Sequence, residues 1–85
     1  MNVLSDFKDV LDDVQDLFDL SKGKHKTHWT KDRTKEYHAK KGLGHLMQAI
    51  EDPDQGFIID KDSGKSHLIN AIARLLIAAQ RDKNE

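Results

Sequence analysis

DKDSGKSHLINAIARLLIAA, residues 60–79, is an acidic, glycine-containing turn that runs directly into a long apolar segment. Apolar residues recur in this segment with the period of a helix, which predicts a helix over residues 64–81. Ser63 or Asp62 can cap its first turn, whose free N–H groups favour an anion, and His67 lies close enough to touch such a ligand. The stretch predicts either a ligand site at the mouth of a helical core, or only a turn and a cap beside a boundary histidine.

The apolar face of this helix is wide, so we expect the helix to be central to the fold and to pack against a second subunit. The face consists of Leu68, Ile69, Ala71, Ile72, Leu75, Leu76, Ala78 and Ala79, whereas Ile77 falls on the far side. A chain of 85 residues hides only about 60% of the surface that its unfolded form exposes, which also favours association.

Two further helices are predicted upstream from the same period. The first covers residues 2–20, and its apolar stripe consists of Val3, Leu4, Phe7, Val10, Leu11, Val14, Leu17 and Phe18. The second covers residues 31–51 and is expected to bury Ala39, Leu43, Leu46, Met47 and Ile50. Its two glycines, Gly42 and Gly44, weaken it by roughly 1 kcal/mol each but allow close helix packing.

A basic loop over residues 21–30 and a turn over residues 52–63 connect these helices. The predicted fold is therefore all-α, with one helical domain over residues 1–85. It is a three-helix unit that packs into a helical-bundle homo-oligomer, either a dimer or a larger assembly.

Composition excludes several classes of protein. The chain has no cysteine, which removes disulfides, thiolate catalysis and cysteine-ligated zinc, and is consistent with a reducing, cytoplasmic location. Its longest apolar run, residues 75–79, is far shorter than the roughly 20 residues that span a bilayer, and the N-terminus lacks a signal pattern. We therefore expect no membrane partner.

The charge is unevenly distributed although the net charge is only −1. Residues 1–20 hold six Asp and one Lys, and these Asp residues lie opposite the apolar stripe of the first helix. Residues 22–41 hold eight Lys or Arg and only two acidic residues. The basic block can pair with the acidic helix of the same or a neighbouring subunit, or bind an anionic ligand. Nucleic acid is the least favoured partner, because duplex recognition needs an unopposed basic face.

Helical spacing sorts the polar residues of the last two helices into two stripes. The stripe on the second helix is His38, Lys41 and His45, and that on the third is His67, Asn70 and Arg74, continued by Arg81. An antiparallel hairpin would bring His45 close to His67 and let both stripes line one cleft. Imidazole, carboxamide and guanidinium groups suit phosphate oxygens or the edge of a base. The alternative is that Arg74 pairs with an Asp of the first helix and the histidines are boundary residues.

Trp29 and Tyr37 can each stack on a nucleobase, or simply pack at the edge of a small core. Gly64-Lys65-Ser66 is similar to the end of a P-loop, but the earlier glycine that a P-loop needs is replaced by Ile59. The basic and histidine-rich stripes therefore remain the main candidates for a site.

Several of these residues together resemble a known family. The matching pattern is Trp29, Tyr37, Gly44-His45-Leu46, and Asp60-x-Asp62-Ser63-Gly64-x-x-His67-Leu68 followed by an Ala-rich helix with Asn70 and Leu75-Leu76. It is similar to the phage-rich dATP/dGTP diphosphohydrolase N-terminal family, which is related to the all-helical MazG-type nucleoside triphosphate pyrophosphohydrolases. The resemblance covers about residues 28–80. It implies that His45, Asp60, Ser63 and His67 line a nucleotide site, that acidic residues hold Mg²⁺, and that a phage-encoded member works in the host cytoplasm.

The chain departs from that pattern at positions that matter for catalysis. Family members regarded as catalytic carry an Arg where this chain has Gly44, and a Gly-Glu where it has Gly56-Phe57. Phenylalanine cannot bind magnesium, so Asp60, Asp62 and Glu51 are the remaining candidate metal ligands, and no catalytic residue is assigned. The Asp residues of the first helix resemble the paired carboxylates of MazG-type enzymes, but we expect them to meet the cleft only through another subunit.

Three functional hypotheses follow. The preferred one is a nucleotide-binding protein that sequesters a nucleotide-derived signal for a phage, with a site formed by His45, His67, Asn70, Arg74, Ser63, His38, Lys41 and Trp29. The alternative is a Mg²⁺-dependent pyrophosphohydrolase of purine (deoxy)nucleoside triphosphates that uses Asp60, Asp62, Glu51 or Asp52. A further alternative is a protein-binding inhibitor or a structural helical module.

Overall fold

The structure is a computed structural model that describes residues 3–24, 33–51 and 63–85, without the side chains of residues 21–24. A 3-10 helix, Val3–Phe7, leads into α1, Lys8–Lys24, and is followed by α2, Lys35–Glu51, and α3, His67–Asn84. No β-strand occurs in these ranges. The all-α class and the presence of three α-helices are thus confirmed. None of the described helices is both long enough and apolar enough to cross a membrane.

The first helix is longer and less deeply buried than its apolar stripe predicts. It begins as a 3-10 turn and continues to Lys24, so the predicted basic loop over residues 21–30 is wrong in its first four positions, and residues 25–30 lie outside the described ranges. Val14 and Leu17 are buried against Ala73 of α3, with Phe18 packed beside them. The earlier members of the stripe are exposed, namely Val3, Leu4, Phe7 and Leu11. Only the middle of α1 therefore contributes to the core.

The second helix begins at Lys35, four residues later than predicted. Thr34 caps it, because its Oγ1 accepts a hydrogen bond from the backbone N–H of Tyr37 at 3.0 Å. The residue before the cap, Arg33, has a φ angle of +66°. This left-handed conformation is incompatible with a right-handed helix, so a helix starting at residue 31 cannot run through it.

The face that α2 turns towards α3 is not the predicted apolar one. The buried residues of α2 are His38, Gly42 and Ala49. The predicted core residues Leu43, Met47 and Ile50 are 52%, 44% and 67% exposed. The close approach of α2 to α3 at Gly42 explains which face packs. A Cβ atom on Gly42 would lie 3.1 Å from Cγ of Leu75 and 3.3 Å from Cβ of Arg74. Gly44, in contrast, faces open space, so only the first of the two glycines allows tight packing.

The third helix begins at His67 rather than residue 64, and its cap is Ser66 rather than Ser63 or Asp62. The Oγ atom of Ser66 accepts a hydrogen bond from the N–H of Ile69 at 3.2 Å. The turn before it contains Gly64 with a φ angle of +74°, a conformation that favours glycine. Ile77, predicted on the far side, is buried, whereas Leu75 and Leu76 are exposed. α3 packs along α2 over most of its length and along the middle of α1, so it is the central helix of this chain as predicted.

Candidate functional site

The two predicted polar stripes meet where α2 packs against α3. Nη1 of Arg74 lies 2.9 Å from Nδ1 of His38, and Nδ1 of His45 lies 2.8 Å from Nδ1 of His67. The two residues on each helix are seven positions apart, so the pairs are in register for antiparallel helices. The predicted juxtaposition of His45 and His67 is correct. The side chains contact each other directly, however, so the two stripes form a polar seam between the helices.

The contact between Arg74 and His38 fixes the protonation state of the imidazole. A guanidinium group can only donate hydrogen bonds, so Nδ1 of His38 accepts and carries no proton. His38 is also the most deeply buried polar residue in the described ranges, with 2% of its surface exposed. The predicted alternative, an ion pair between Arg74 and an Asp of α1, is not the contact that forms. His38 instead orients the guanidinium of Arg74.

The contact between His45 and His67 joins the middle of α2 to the first residue of α3. One Nδ1 atom must donate and the other must accept, so the two imidazoles are in different tautomers or share an added proton. Their ring centroids are 5.1 Å apart and the rings are tilted by 31°. Both residues are half-buried. The pair closes the end of the seam nearest the turn that precedes α3.

Tyr37 is surrounded by three cationic side chains at the other end of the seam. The guanidinium carbon of Arg33, Nζ of Lys41 and the guanidinium carbon of Arg74 lie 5.3, 5.6 and 5.9 Å from the centroid of its ring. The ring also packs edge-on against His38, with centroids 5.6 Å apart and planes at 85°. We call Arg33, Tyr37, Lys41 and Arg74 the basic-aromatic cluster.

Sequence reasoning identified Lys41, Arg74 and Tyr37 but missed Arg33. Spacing gives no reliable signal for Arg33, because it precedes α2 and its φ angle of +66° takes it off the helical path that relates Tyr37 to Lys41. Trp29, the other predicted stacking residue, lies outside the described residues.

Asn70 and Ser63, both predicted to bind ligand, bind each other. Nδ2 of Asn70 donates to Oγ of Ser63 at 2.8 Å, to the carbonyl of Ser66 at 2.9 Å and to that of Lys65 at 3.3 Å. The hydroxyl of Ser63 also accepts from the N–H of Lys65 at 3.2 Å. These bonds hold the turn against the first two turns of α3, so the amide group of Asn70 stabilises the helix start.

Two carboxylates of α1 lie beside this turn within the same chain. Nζ of Lys65 is 3.0 Å from Oδ1 of Asp13 and 3.1 Å from Oδ2 of Asp16. Hydrogen bonds to Asp13 and then to Asp16 raise the pKa of the Lys65 amine. The acidic helix therefore pairs with Lys65, which lies outside the basic block of residues 22–41, and the expectation that another subunit brings these carboxylates to the cleft stays a prediction.

A second ion cluster joins the two ends of the α2–α3 hairpin far from the turn. Nζ of Lys35 is 2.8 Å from carboxylate oxygens of both Asp82 and Glu85. Arg81 donates a hydrogen bond to the carbonyl of Arg33. The hydrogen bond from Lys35 lowers the pKa of Asp82, and the same bond is the largest cause of the raised pKa of Lys35. The hydrogen bond from Arg81 fixes the backbone carbonyl of Arg33, whose side chain belongs to the basic-aromatic cluster.

The predicted magnesium site stays a prediction, because most of its candidate ligands are not among the described residues. Asp60 and Asp62 lie outside those residues, and Glu51 is an exposed residue at the last position of α2. Asp13 and Asp16 share the ammonium of Lys65. No group of three or more His, Cys, Asp or Glu side chains in the described ranges is arranged to hold a metal ion.

Comparison of the chain with models of protein families, with curated proteins and with solved structures finds no match. The resemblance to the diphosphohydrolase family therefore stays a prediction, based on the residues quoted for it.

Proposed function

We propose that this chain binds a phosphorylated small molecule of the nucleotide class at the basic-aromatic cluster. One observation supports the proposal above all others: Arg33, Lys41 and Arg74 bring three cationic groups within 5.9 Å of the centre of the Tyr37 ring. A nucleotide combines a planar base with several negative charges, and an aromatic ring flanked by cations complements both features.

The contacts of the cluster suit recognition of phosphate. A guanidinium group has five N–H donors and can hold two phosphate oxygens at once, whereas the bond to Nδ1 of His38 uses only one donor of Arg74. Because that bond restricts the guanidinium before any ligand arrives, less conformational entropy is lost on binding. Lys41 is exposed and Tyr37 is half-buried, so the cluster lies at the protein surface.

Retention of the ligand is favoured over its cleavage. Metal-dependent hydrolysis of a phosphoanhydride needs carboxylates that hold Mg²⁺ and orient a water molecule. The carboxylates of Asp13 and Asp16 are engaged by Lys65 in the turn before α3. Three of the four side chains of the cluster are cations that neutralise phosphate without a metal, and none of the four is a carboxylate that could act as a base.

The wider proposal follows from the resemblance quoted above. The chain would be a MazG-like helical unit that assembles as a homo-oligomer and sequesters a nucleotide-derived signal, in the host cytoplasm if it is encoded by a phage. Its all-helical architecture is compatible with that scaffold.

The test is retention and release of defined nucleotides. The purified protein is incubated with ATP, dATP, dGTP, ADP-ribose or a cyclic dinucleotide, with and without Mg²⁺, and the free nucleotide is quantified by chromatography before and after heat denaturation. We expect one of these compounds to disappear from solution and to return intact on heating. Release of pyrophosphate with a nucleoside monophosphate would show an enzyme instead, and an unchanged concentration of every compound would contradict the proposal.

Matched variants localise the site. Lys41→Ala and Tyr37→Leu are expected to weaken binding of the retained nucleotide by about tenfold each, since they remove an ionic contact and a stacking surface. Lys8→Ala is the control, because it removes the same charge from an exposed position on α1 where Lys8 pairs with Asp12. Equal effects of Lys41→Ala and Lys8→Ala would mean that binding depends on overall charge and not on the cluster.

A further inference from the structure

We infer that one apolar side of the α2–α3 hairpin is the contact surface between two copies of this chain. This hairpin face consists of Leu43, Leu46, Met47 and Ile50 on α2, and Leu68, Leu75 and Ala79 on α3. The inference rests on the homo-oligomer proposed above and names the surface through which that oligomer forms. It does not depend on the nucleotide site. Its partner is a second copy, packed face to face.

The register of the hairpin places both sets of residues on the same side. On α2, Leu43, Leu46 and Ile50 each follow by one position a residue that lies towards α3, namely Gly42, His45 and Ala49. On α3, Leu68 and Leu75 follow His67 and Arg74 in the same way. One position is a rotation of about 100° around a helix. Because the helices are antiparallel, the same rotation turns both sets to one side of the hairpin.

The opposite side of the hairpin is the one that α1 covers. Ala73, which precedes Arg74 by one position, is buried against Val14 and Leu17 of α1. A rotation of about 100° in the other direction leads away from the hairpin face. The two sides of α3 are therefore different: one packs on α1 within the chain, and the other is uncovered by the described residues.

The exposure of the hairpin face is large for a chain with so thin a core. Four of its members, Leu43, Met47, Ile50 and Leu75, are between 43% and 67% exposed. Three of the six buried hydrophobic residues in the described ranges are alanines, Ala49, Ala71 and Ala73. Monomers seldom expose a contiguous apolar patch above about 300–600 Å², and seven such side chains reach roughly that area. With a polar rim it approaches the roughly 800 Å² per partner of a standard interface.

The pattern of the face fits a second copy. It contains no charged residue, so two copies can meet without burying an unpaired charge. On α2 its members Leu43, Met47 and Ile50 are spaced by four and three residues, and on α3 Leu68, Leu75 and Ala79 are spaced by seven and four. This is the spacing with which helices interlock in bundles. Two hairpins related by a two-fold axis would form a four-helix core, a common solution for helical hairpins.

The experiment measures the mass of the full chain in solution by light scattering after gel filtration, with helix content followed by circular dichroism. We expect twice the 9.7 kDa of one chain, or an even multiple of it. Ile50→Lys and Leu43→Lys should each weaken association at least about tenfold, because a lysine would be buried in an apolar contact. Phe7→Lys is the control: Phe7 is 52% exposed but lies on the 3-10 helix, outside the face.

Each outcome decides for or against the hairpin face. A wild-type chain that is monomeric in solution would overturn the inference. A dimer that survives both face variants, or that Phe7→Lys dissociates equally, would also overturn it. If Leu43→Lys does not fold, Ile50→Lys decides alone, because Ile50 is 67% exposed and its side chain contributes little to the fold of one chain. Nucleotide binding is read separately with Lys41→Ala, so failure of one proposal is distinguishable from failure of the other.

Discussion

Arg74 donates a hydrogen bond from Nη1 to Nδ1 of His38 across the α2–α3 contact, over 2.9 Å. The bond does two things at once. It satisfies a buried imidazole that is 2% exposed, and it holds a guanidinium group beside the Tyr37 ring. A residue that the apolar period of α2 did not place in the core is therefore one of its most buried members, and it links packing to the candidate anion site.

This bond makes stability depend on pH. Protonating Nδ1 of His38 would remove its acceptor and put two cations 2.9 Å apart, whereas a histidine of the unfolded chain takes up a proton near pH 6.5. Below that pH the unfolded chain binds a proton that the folded chain can accept at Nδ1 only by losing this bond, so the contribution of the bond to stability decreases as the pH falls. We expect urea unfolding to show this decrease between pH 7.5 and pH 5.

The matched variant is His38→Gln, whose carbonyl can still accept from Arg74 but does not titrate. It should be less stable than wild type at pH 7.5, because the shape of the side chain changes in a buried site. The difference between the two proteins should shrink as the pH falls to 5. Parallel pH profiles would mean that His38 takes no part in the acid dependence.

The two glycines of α2 should respond differently to alanine. Gly44 faces open space, so Gly44→Ala gains helix propensity at no steric cost and should stabilise the protein by about 0.5–1 kcal/mol. A Cβ atom on Gly42 would press on Leu75 and Arg74 at 3.1 and 3.3 Å, so Gly42→Ala should gain less or destabilise. Urea unfolding of both variants measures the difference. A larger gain at Gly42 than at Gly44 would contradict the close packing of α2 on α3.

Asn70 should matter for the start of α3. Asn70→Ala removes donors to Ser63, Lys65 and Ser66, and it should destabilise the protein by about 1–3 kcal/mol. Because the lost bonds are local, amide hydrogen exchange should rise first in residues 63–70 and less at the far end of α3. The control is Gln80→Ala, which removes a similar carboxamide from an exposed position on the same helix. Equal exchange of residues 63–70 in the two variants would show that Asn70 does not hold the turn.

The comparison of sequence with structure separates what periodicity can predict from what it cannot. The existence and type of all three helices followed from the recurrence of apolar residues, because any amphipathic helix carries that period. The face that α2 buries within one chain did not follow from this recurrence. An apolar stripe marks every surface that avoids water, including a contact between subunits. Within one chain α3 packs on the small and polar stripe through Gly42 and His38, and Leu43, Met47 and Ile50 remain outside.

The candidate site, like the fold, was predictable only where local features of the sequence determine it. The approach of His45 to His67 followed from helix spacing and a short connection, both local features. The bonds of Lys65 to Asp13 and Asp16 join residues 52 and 49 positions apart, and no spacing rule predicts a partner at that separation. The true cap of α3 was missed because Ser63 and Ser66 are both capping residues, and the sequence does not reveal that Asn70 already binds the first of them.

The ion cluster at the far end of the hairpin gives the last prediction. The hydrogen bond from Lys35 lowers the pKa of Asp82 below its ordinary value of 3.8. The stabilisation is therefore complete above that value and is lost as the pH falls through the lower pKa of the folded protein. Asp82 is exposed and Lys35 is half-buried, so we expect local fraying of the end of α3 and no global unfolding from this pair. The protection of the amides at residues 80–84 from exchange, measured by NMR against the intrinsic rate, should fall in wild type below pH 4. Asp82→Asn should exchange faster already at neutral pH and respond less to acid. An end of α3 that frays equally in both proteins at pH 7 would show that Lys35 does not tie the two helices together.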